Sequence, residues 1–194
     1  MSSRVISLND HVPLEEVASE IASVVLAGGV VLYPSDTVYG LLCRPDDESA
    51  LNRLRSIKGI SGPRPFILLV SGPGMARSVA VCTDPEVQAV IRLRWPGKLT
   101  LVLPALKECP PDVTDSGRTV ALRHPADRLS GLVLEKCGFP LVSTSANLSG
   151  EGTCLDFRLI ADHIVQSVDL AVDAGTLAPS SPSTILKLVR GREE

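Results

Sequence analysis

Ser143, Thr144, Ser145, Asn147, Ser149 and Gly150 crowd small hydroxyl and amide groups into one stretch, directly after the apolar Pro140, Leu141 and Val142. In an α/β protein a ligand sits just beyond the carboxyl ends of strands. Small polar residues there let the backbone approach a ligand and supply donors at little steric cost. A Ser/Asn turn satisfied by its own hydrogen bonds would use the same residues, so the stretch needs partners elsewhere in the chain. Three other segments supply them. Ser35, Thr37 and Tyr39 alternate through residues 34–40, and in an extended chain their hydroxyls share one face. Such a face lines a polar pocket or belongs to a half-exposed strand. Lys58 and Arg64 flank a Gly/Pro-rich loop ahead of the apolar run 66–70, a place suited to an anion if the two charges are not simply solvated. Arg123 closes the apolar run 119–123, where it could meet a phosphate.

Other chemistries lack their parts. The five cysteines are widely spaced with no C-x-x-C pair, and there are three histidines, so no metal-ligating set is assigned. Gly97-Lys98 is not a P-loop, because no glycine lies five positions before Gly97 and no Ser or Thr follows Lys98 directly. Scattered thiols fit a reducing, cytoplasmic setting. The N-terminus carries no basic-then-apolar signal pattern. The longest apolar run, residues 24–33, contains Gly28 and Gly29 and is too short to span a bilayer.

The elements that must position these groups follow from composition and period. A chain of 194 residues, 44% hydrophobic and 21% charged, fits one domain over residues 1–194, and with 3% aromatics its core must be aliphatic. The net charge of −3 argues against binding a bulk polyanion. Yet residues 49–83 and 87–107 hold nine basic residues and no acid, which suggests one anion-binding face or, equally, a solvated positive face without a ligand. Asn9 and Asp10 offer caps for a helix whose apolar residues recur from Leu14 to Val25, ended by Gly28. Asp46, Asp47 and Glu48 open a second helix that ends at Lys58-Gly59. Further helices are predicted at 72–81, 84–93, 127–136 and 155–165. Strands are predicted at 4–8, 29–33, 66–70, 99–103, 119–123, 140–142, 168–172 and 185–189, with a polar tail after them. Alternating α and β elements and a neighbouring pair at 99–103 and 119–123 indicate an α/β domain with a mixed sheet.

Taken together, the motifs resemble a family. The string Tyr33-Pro-Ser-Asp-Thr-Val-Tyr-Gly-Leu41 is similar to the Pro-Thr-[Asp/Glu]-Thr-Val-Tyr-Gly-Leu signature of the YrdC-like proteins. Ile57-Lys-Gly59, Trp95-Pro-Gly-Lys-Leu-Thr100, Val120-Ala-Leu-Arg-His-Pro125, Ser143-Thr-Ser-Ala-Asn-Leu-Ser-Gly150 and Pro182-Ser-Thr-Ile185 follow in the family's order. The resemblance implies an α/β fold, α+β-like, with a twisted mixed sheet, helices packed on it and a large concave basic cavity. It also implies threonylcarbamoyladenylate synthesis: L-threonine, bicarbonate and ATP give threonylcarbamoyl-AMP and pyrophosphate, with Mg²⁺ alongside. The product serves the tRNA-modification machinery, and RNA binding is a further expectation. No covalent enzyme nucleophile is needed, so catalysis rests on positioning and charge neutralisation.

By the same resemblance Ser143, Ser145 and Asn147 hold the nucleotide, with Arg123 beside them. Lys58 faces phosphate or carboxylate, and Thr37, Tyr39 and Ser183 lie by the threonine. Two positions depart from the pattern. The family reads Lys-x-Arg at the loop, whereas the third position here is Ile60, which has no guanidinium fork to offer an anion. A histidine common after the apolar strand is replaced by Leu69. We expect Arg64 to stand in for the missing arginine. A nucleotide- or RNA-binding module without synthase chemistry, and a carbamoyl-transfer enzyme for another amine, use the same features.

Overall fold

The computed structural model describes residues 3–8, 12–62, 64–181 and 183–188. Nine strands form one twisted mixed sheet in the order β1-β8-β2-β3-β7-β4-β6-β5-β9. The strands are β1 (Arg4–Ser7), β2 (Val31–Pro34), β3 (Tyr39–Cys43), β4 (Ile67–Leu69), β5 (Leu99–Pro104), β6 (Thr119–Arg123), β7 (Leu141–Ser145), β8 (Leu170–Asp173) and β9 (Thr184–Lys187). The helices are α1 (Leu14–Leu26), α2 (Glu48–Ile57), α3 (Pro73–Ala76), α4 (Pro85–Arg94), α5 (Arg128–Cys137) and α6 (Asp162–Ser167). β5 and β6 pair antiparallel with Leu101 opposite Leu122, as the two apolar runs suggest.

Strand side chains alternate between faces, and the two faces have different fates. On one, Leu32, Tyr39, Leu41, Leu68, Leu101, Leu122 and Val142 join α2 and α4 in the larger core. On the other, Val31, Tyr33, Leu42, Leu69, Leu141 and Leu170 pack under α1 and α5. These two helices lie against each other and do not cover the whole face. Along β7 the change is visible within one strand: Leu141 is buried beneath the helices, while Ser143 and Ser145, on the same side, are half-buried at a cavity.

Local chemistry sets the helix ends. Asp47 accepts a hydrogen bond from Ala50 N at 3.0 Å and caps α2, and Lys58 closes that helix, followed by Gly59 at a φ of 62°. Asp127 caps α5 by accepting from Ser130 N at 2.7 Å. α1 begins after Pro13. The expected caps Asn9 and Asp10, Pro182, and the chain from 189 onward lie outside the described residues. The five cysteines are free thiols, and among the described residues no helix is long and apolar enough to cross a membrane.

Three expectations are corrected. Residues 155–165 are not one helix. Asp156 accepts from Arg158 N at 3.0 Å, closing a tight 3-10 turn at Phe157–Leu159; Ile160 then runs extended, and α6 starts at Asp162. Residues 72–81 form a single helical turn, because Ala80 pairs with Ala105 and Val81 N donates to Pro104 O, drawing the chain to the sheet. Residues 34–40 are not extended throughout. β2 and β3 form a hairpin, and Ser35 builds its turn by accepting from Thr37 N and donating to Val38 O at 2.7 Å.

Tyr33 and Gly40 are directly opposed in that hairpin. A Cβ on Gly40 would lie 3.1 Å from Tyr33 Cε1 and 3.2 Å from Thr144 O. The bare α-carbon thus makes room for the Tyr33 ring beneath the cavity. Gly40→Ala is expected to cost about 1–3 kcal/mol through overpacking, read as a lower urea midpoint at unchanged slope; a wild-type midpoint would show that the ring has space to yield.

Candidate functional site

A cavity of about 400 Å³ opens where the helices leave the sheet uncovered. The β2–β3 turn contributes Ser35, Asp36 and Thr37; β7 contributes Ser143, Thr144 and Ser145; Pro65 and Phe66 precede β4. Arg123 stands at the end of β6, and Ser183 at the start of β9. Segments more than a hundred residues apart therefore meet at one wall, and among the described residues the lining contains no histidine or cysteine.

Arg123 is the cation of this lining, and it is buried. Its Nη2 meets Asp36 Oδ1 at 2.7 Å, Nη1 donates to Thr37 Oγ1 at 3.3 Å and Nε to Gly97 O at 3.3 Å. Asp36 Oδ2 also accepts from Ala126 N at 3.3 Å. Asp36 was not among the residues singled out from sequence, although it lies inside the Ser-Asp-Thr string. The signal was a carboxylate near an arginine that had to be buried at a strand end.

Part of the basic middle of the chain is neutralised by acids distant in sequence: Arg53 pairs with Asp169 at 2.6 Å and Arg55 with Asp112 at 3.6 Å. In the cavity itself, the Arg123 charge is matched by Asp36. The lining is thus hydroxyl-rich and internally balanced, and its expected strongly basic character is not present.

Lys58 lies under the wall and not among the lining residues. Its Nζ donates to Ser145 O at 2.5 Å and Asn147 O at 2.8 Å, clamping the small-residue loop to the end of α2. Ser149 N returns a bond to Lys58 O at 3.1 Å. Burial draws the ammonium down to about 8. Asn147 is also buried: its Nδ2 donates to Leu148 O and Glu151 O, and its Oδ1 has no partner. Arg64 is exposed and reaches the far end of the same loop, with Nη1 3.3 Å from Ser149 Oγ. Ile60 is packed against the larger core and does not line the cavity.

Thr37 and Ser183 sit in the lining, with Ser183 Oγ 3.0 Å from Thr100 Oγ1. Tyr39 does not accompany them. Its ring points into the opposite core, edge-on to Phe157, and its hydroxyl donates to Gly175 O and accepts from Ala174 N, both at 2.9 Å. Because Ser35–Val38 is a turn, Tyr39 enters β3 on the other face. Burial pushes its phenol up to about 12. Ser143, Ser145, Thr37, Ser183 and Arg123 are therefore brought together; Lys58, Arg64 and Asn147 hold the adjoining loop; Tyr39 supports the wall from behind.

The buried Lys58 makes a pH prediction. Its value in the folded protein lies below the ordinary lysine value of about 10.4, so the unfolded chain binds the proton more tightly. Stability contributed by this residue therefore rises with pH between about 8 and 10.4. In chemical denaturation, the stability of wild type minus that of Lys58→Met should rise through that window; a constant difference would show that burial does not shift the lysine.

Comparison with known proteins places this geometry among relatives. The family model Sua5_yciO_yrdC, described as "Telomere recombination", matches residues 23–194. The threonylcarbamoyl-AMP synthase of Thiobacillus denitrificans is 35% identical over 168 residues, covering 85% of this chain and 87% of that protein. That of Coxiella burnetii is 33% identical, covering 82% and 86%. Among solved structures, P. abyssi Sua5 complexed with L-threonine superposes with a TM-score of 0.86 at 26% identity, over 97% of this chain. This chain spans about half, 54%, of that Sua5 chain. E. coli YciO superposes at 0.83 with 27% identity, covering 97% of this chain and 91% of its own.

Proposed function

The chain belongs to the Sua5/YciO/YrdC family, and on that premise we propose that it is a threonylcarbamoyl-AMP synthase, a nucleotidyltransferase. It joins L-threonine, bicarbonate and ATP into threonylcarbamoyl-AMP and pyrophosphate, and the tRNA-modification machinery consumes the product. The observation that carries this reading is the cavity itself: hydroxyls, backbone groups and one buried guanidinium converge, with no histidine or cysteine among the described lining residues. That arrangement suits a reaction in which the enzyme forms no bond to substrate.

In this reading a carbamate oxygen attacks the α-phosphorus in line, and the bond to pyrophosphate breaks. Ser143 and Ser145 hold the nucleotide, and Asn147, its remaining amide oxygen turned toward it, and Lys58 fix the loop that presents them. Arg123, oriented by Asp36 and Thr37, faces the phosphates. Thr37 and Ser183 take the threonine, with Tyr39 keeping the wall in register. Charge on the phosphates is met by preorganised donors rather than by rearranging water. Magnesium belongs with ATP as its phosphate-bound ion, since the described residues contain no group of three or more His, Cys, Asp or Glu placed to cage a cation.

Arg64 supplies the anion contact that Ile60 cannot, from the segment leading into Pro65 and Phe66. The Arg64–Ser149 contact and the cavity-side position of Pro65 support that role. Pyrophosphate release by purified protein should require ATP, bicarbonate and L-threonine together; release indifferent to threonine would overturn the synthase reading. Arg64→Ala should lose threonine-dependent release by about 10²-fold, the scale of losing one charge-stabilising group. Ile60→Ala should stay near wild type in rate, and equal rates for Arg64→Ala and wild type would remove Arg64 from the mechanism.

A further inference from the structure

Beside the cavity, between its floor and the start of α5, three side-chain oxygens are buried without a hydrogen-bond partner: Tyr33 Oη, Ser130 Oγ and Asp127 Oδ2. Tyr33 and Ser130 are 0% and 2% exposed. The Tyr33 hydroxyl is adjacent to those of Ser130 and Ser143, and Ser130 is adjacent to the Asp127 carboxyl, without a bond of normal geometry closing any of these gaps. Ser143 and the Tyr33 ring line the cavity. Buried hydroxyls left open in this way are costly unless something joins them, and a polar gap with several partners suits an ordered water.

We propose that Ser143, Tyr33, Ser130 and Asp127 form a water-bridged proton path leading from the cavity to the Asp127 carboxylate. The inference rests on the synthase reading and adds the step that reading leaves open. Threonine enters as an ammonium ion. Its nitrogen must lose a proton before its lone pair can attack the bicarbonate carbon. The nitrogen–carbon bond forms, a carbon–oxygen bond breaks with loss of water, and the sum releases one proton per carbamate. That proton needs an acceptor.

Among the described residues the cavity lining offers no free acceptor of its own. Asp36, the carboxylate of the lining, is held by Arg123 at 2.7 Å. Lys58 is a donor to two carbonyls, and His124 is not in the lining but stacks edge-on to Trp95. Asp127 is different. One of its oxygens caps α5 and the other is unpartnered. Burial, with the nearby Asp36 charge, pushes its carboxyl up, toward the range where a carboxylate serves as a base. The charged and titratable groups facing this cluster are Tyr33 from β2, Asp36 from the hairpin turn and Arg123 from β6; on the α1 side, Arg128 of α5 is paired with Glu15 at the surface. Tyr33, held above its ordinary value chiefly by burial, stays protonated and passes protons on without storing one.

The test compares pyrophosphate release against pH for the full-length wild type, Asp127→Asn, Tyr33→Phe and the double variant, with Ser130→Ala as a fourth protein. Asparagine caps a helix as well as aspartate does, and Tyr33→Phe keeps the buried ring, so neither change is expected to unfold the chain. Each single variant should lose about 10²-fold at pH 7, the scale of one proton-transfer group. Each should regain rate tenfold per pH unit toward alkaline conditions, where solvent takes the proton. The double variant should be no slower than either single one, because both interrupt one path. ATP binding by calorimetry should be unchanged throughout. A Tyr33→Phe protein with the wild-type rate and profile, or a double variant whose loss is the product of the two, would overturn the path while leaving the synthase intact. A wild type that releases no pyrophosphate with threonine would overturn the synthase reading and the path with it.

Discussion

A guanidinium cannot be buried alone, and the site is organised around that constraint. Arg123 reaches the cavity wall at the end of β6, on the face where Leu122 does not point. Once there it needs acceptors on several sides, and the chain supplies them from two places: the β2–β3 turn, through Asp36 and Thr37, and the Trp95-Pro-Gly-Lys98 turn, through Gly97 O. The same turn is fastened from the other side, where Gly97 N donates to His124 O at 2.8 Å. Removing Asp36 would leave an uncompensated buried charge, a loss of about 3–5 kcal/mol by the usual measure of broken buried pairs. The turn that presents Thr37 and the strand that presents Arg123 are therefore one mechanical unit, although 86 residues separate them.

Lys58 does for the small-residue loop what Asp36 does for Arg123, with the roles of charge and dipole exchanged. Two carbonyls hold an ammonium that has little water around it. The backbone from Ser145 to Asn147 is fixed by this grip, so the serine hydroxyls are presented without depending on their own neighbours. Ligand contact and loop placement are thereby separated between different residues. Such a division keeps the wall rigid while the groups that face the cavity remain short and unhindered.

Much of this could be read before any coordinates, for definable reasons. Strand pairs and capped helices followed from local pattern: Asp47 before Ala50 and Leu51, and apolar runs bounded by Gly and Pro. Ser143 and Ser145 were legible because their type changes abruptly along one face of a strand. Tyr39 was placed on the wrong face because hydroxyl alternation looks the same in an extended segment and in a turn; Ser35, by bonding Val38, reverses the chain and the parity. The basic middle of the chain was only partly readable for a similar reason. Linear charge counts do not see Asp169 folding back onto Arg53 or Asp112 onto Arg55. Asp36 stayed hidden because its importance lies in the partner it neutralises, which sequence spacing does not mark.

The cavity wall draws on residues from Tyr33 near one end of the chain to Ile185 near the other. β9 holds its place by pairing with β5 in parallel, far from its neighbours in sequence. Parallel, non-local pairings form late, since loop-closure entropy must be met before they stabilise anything. A ribosome-bound chain that has emerged as far as β7 already owns the serines and the lysine clamp, yet it lacks Ser183 and the strand β9 that follows it. The cavity wall is consequently complete only once β9 has docked on β5, however early the serines and the lysine clamp are in place.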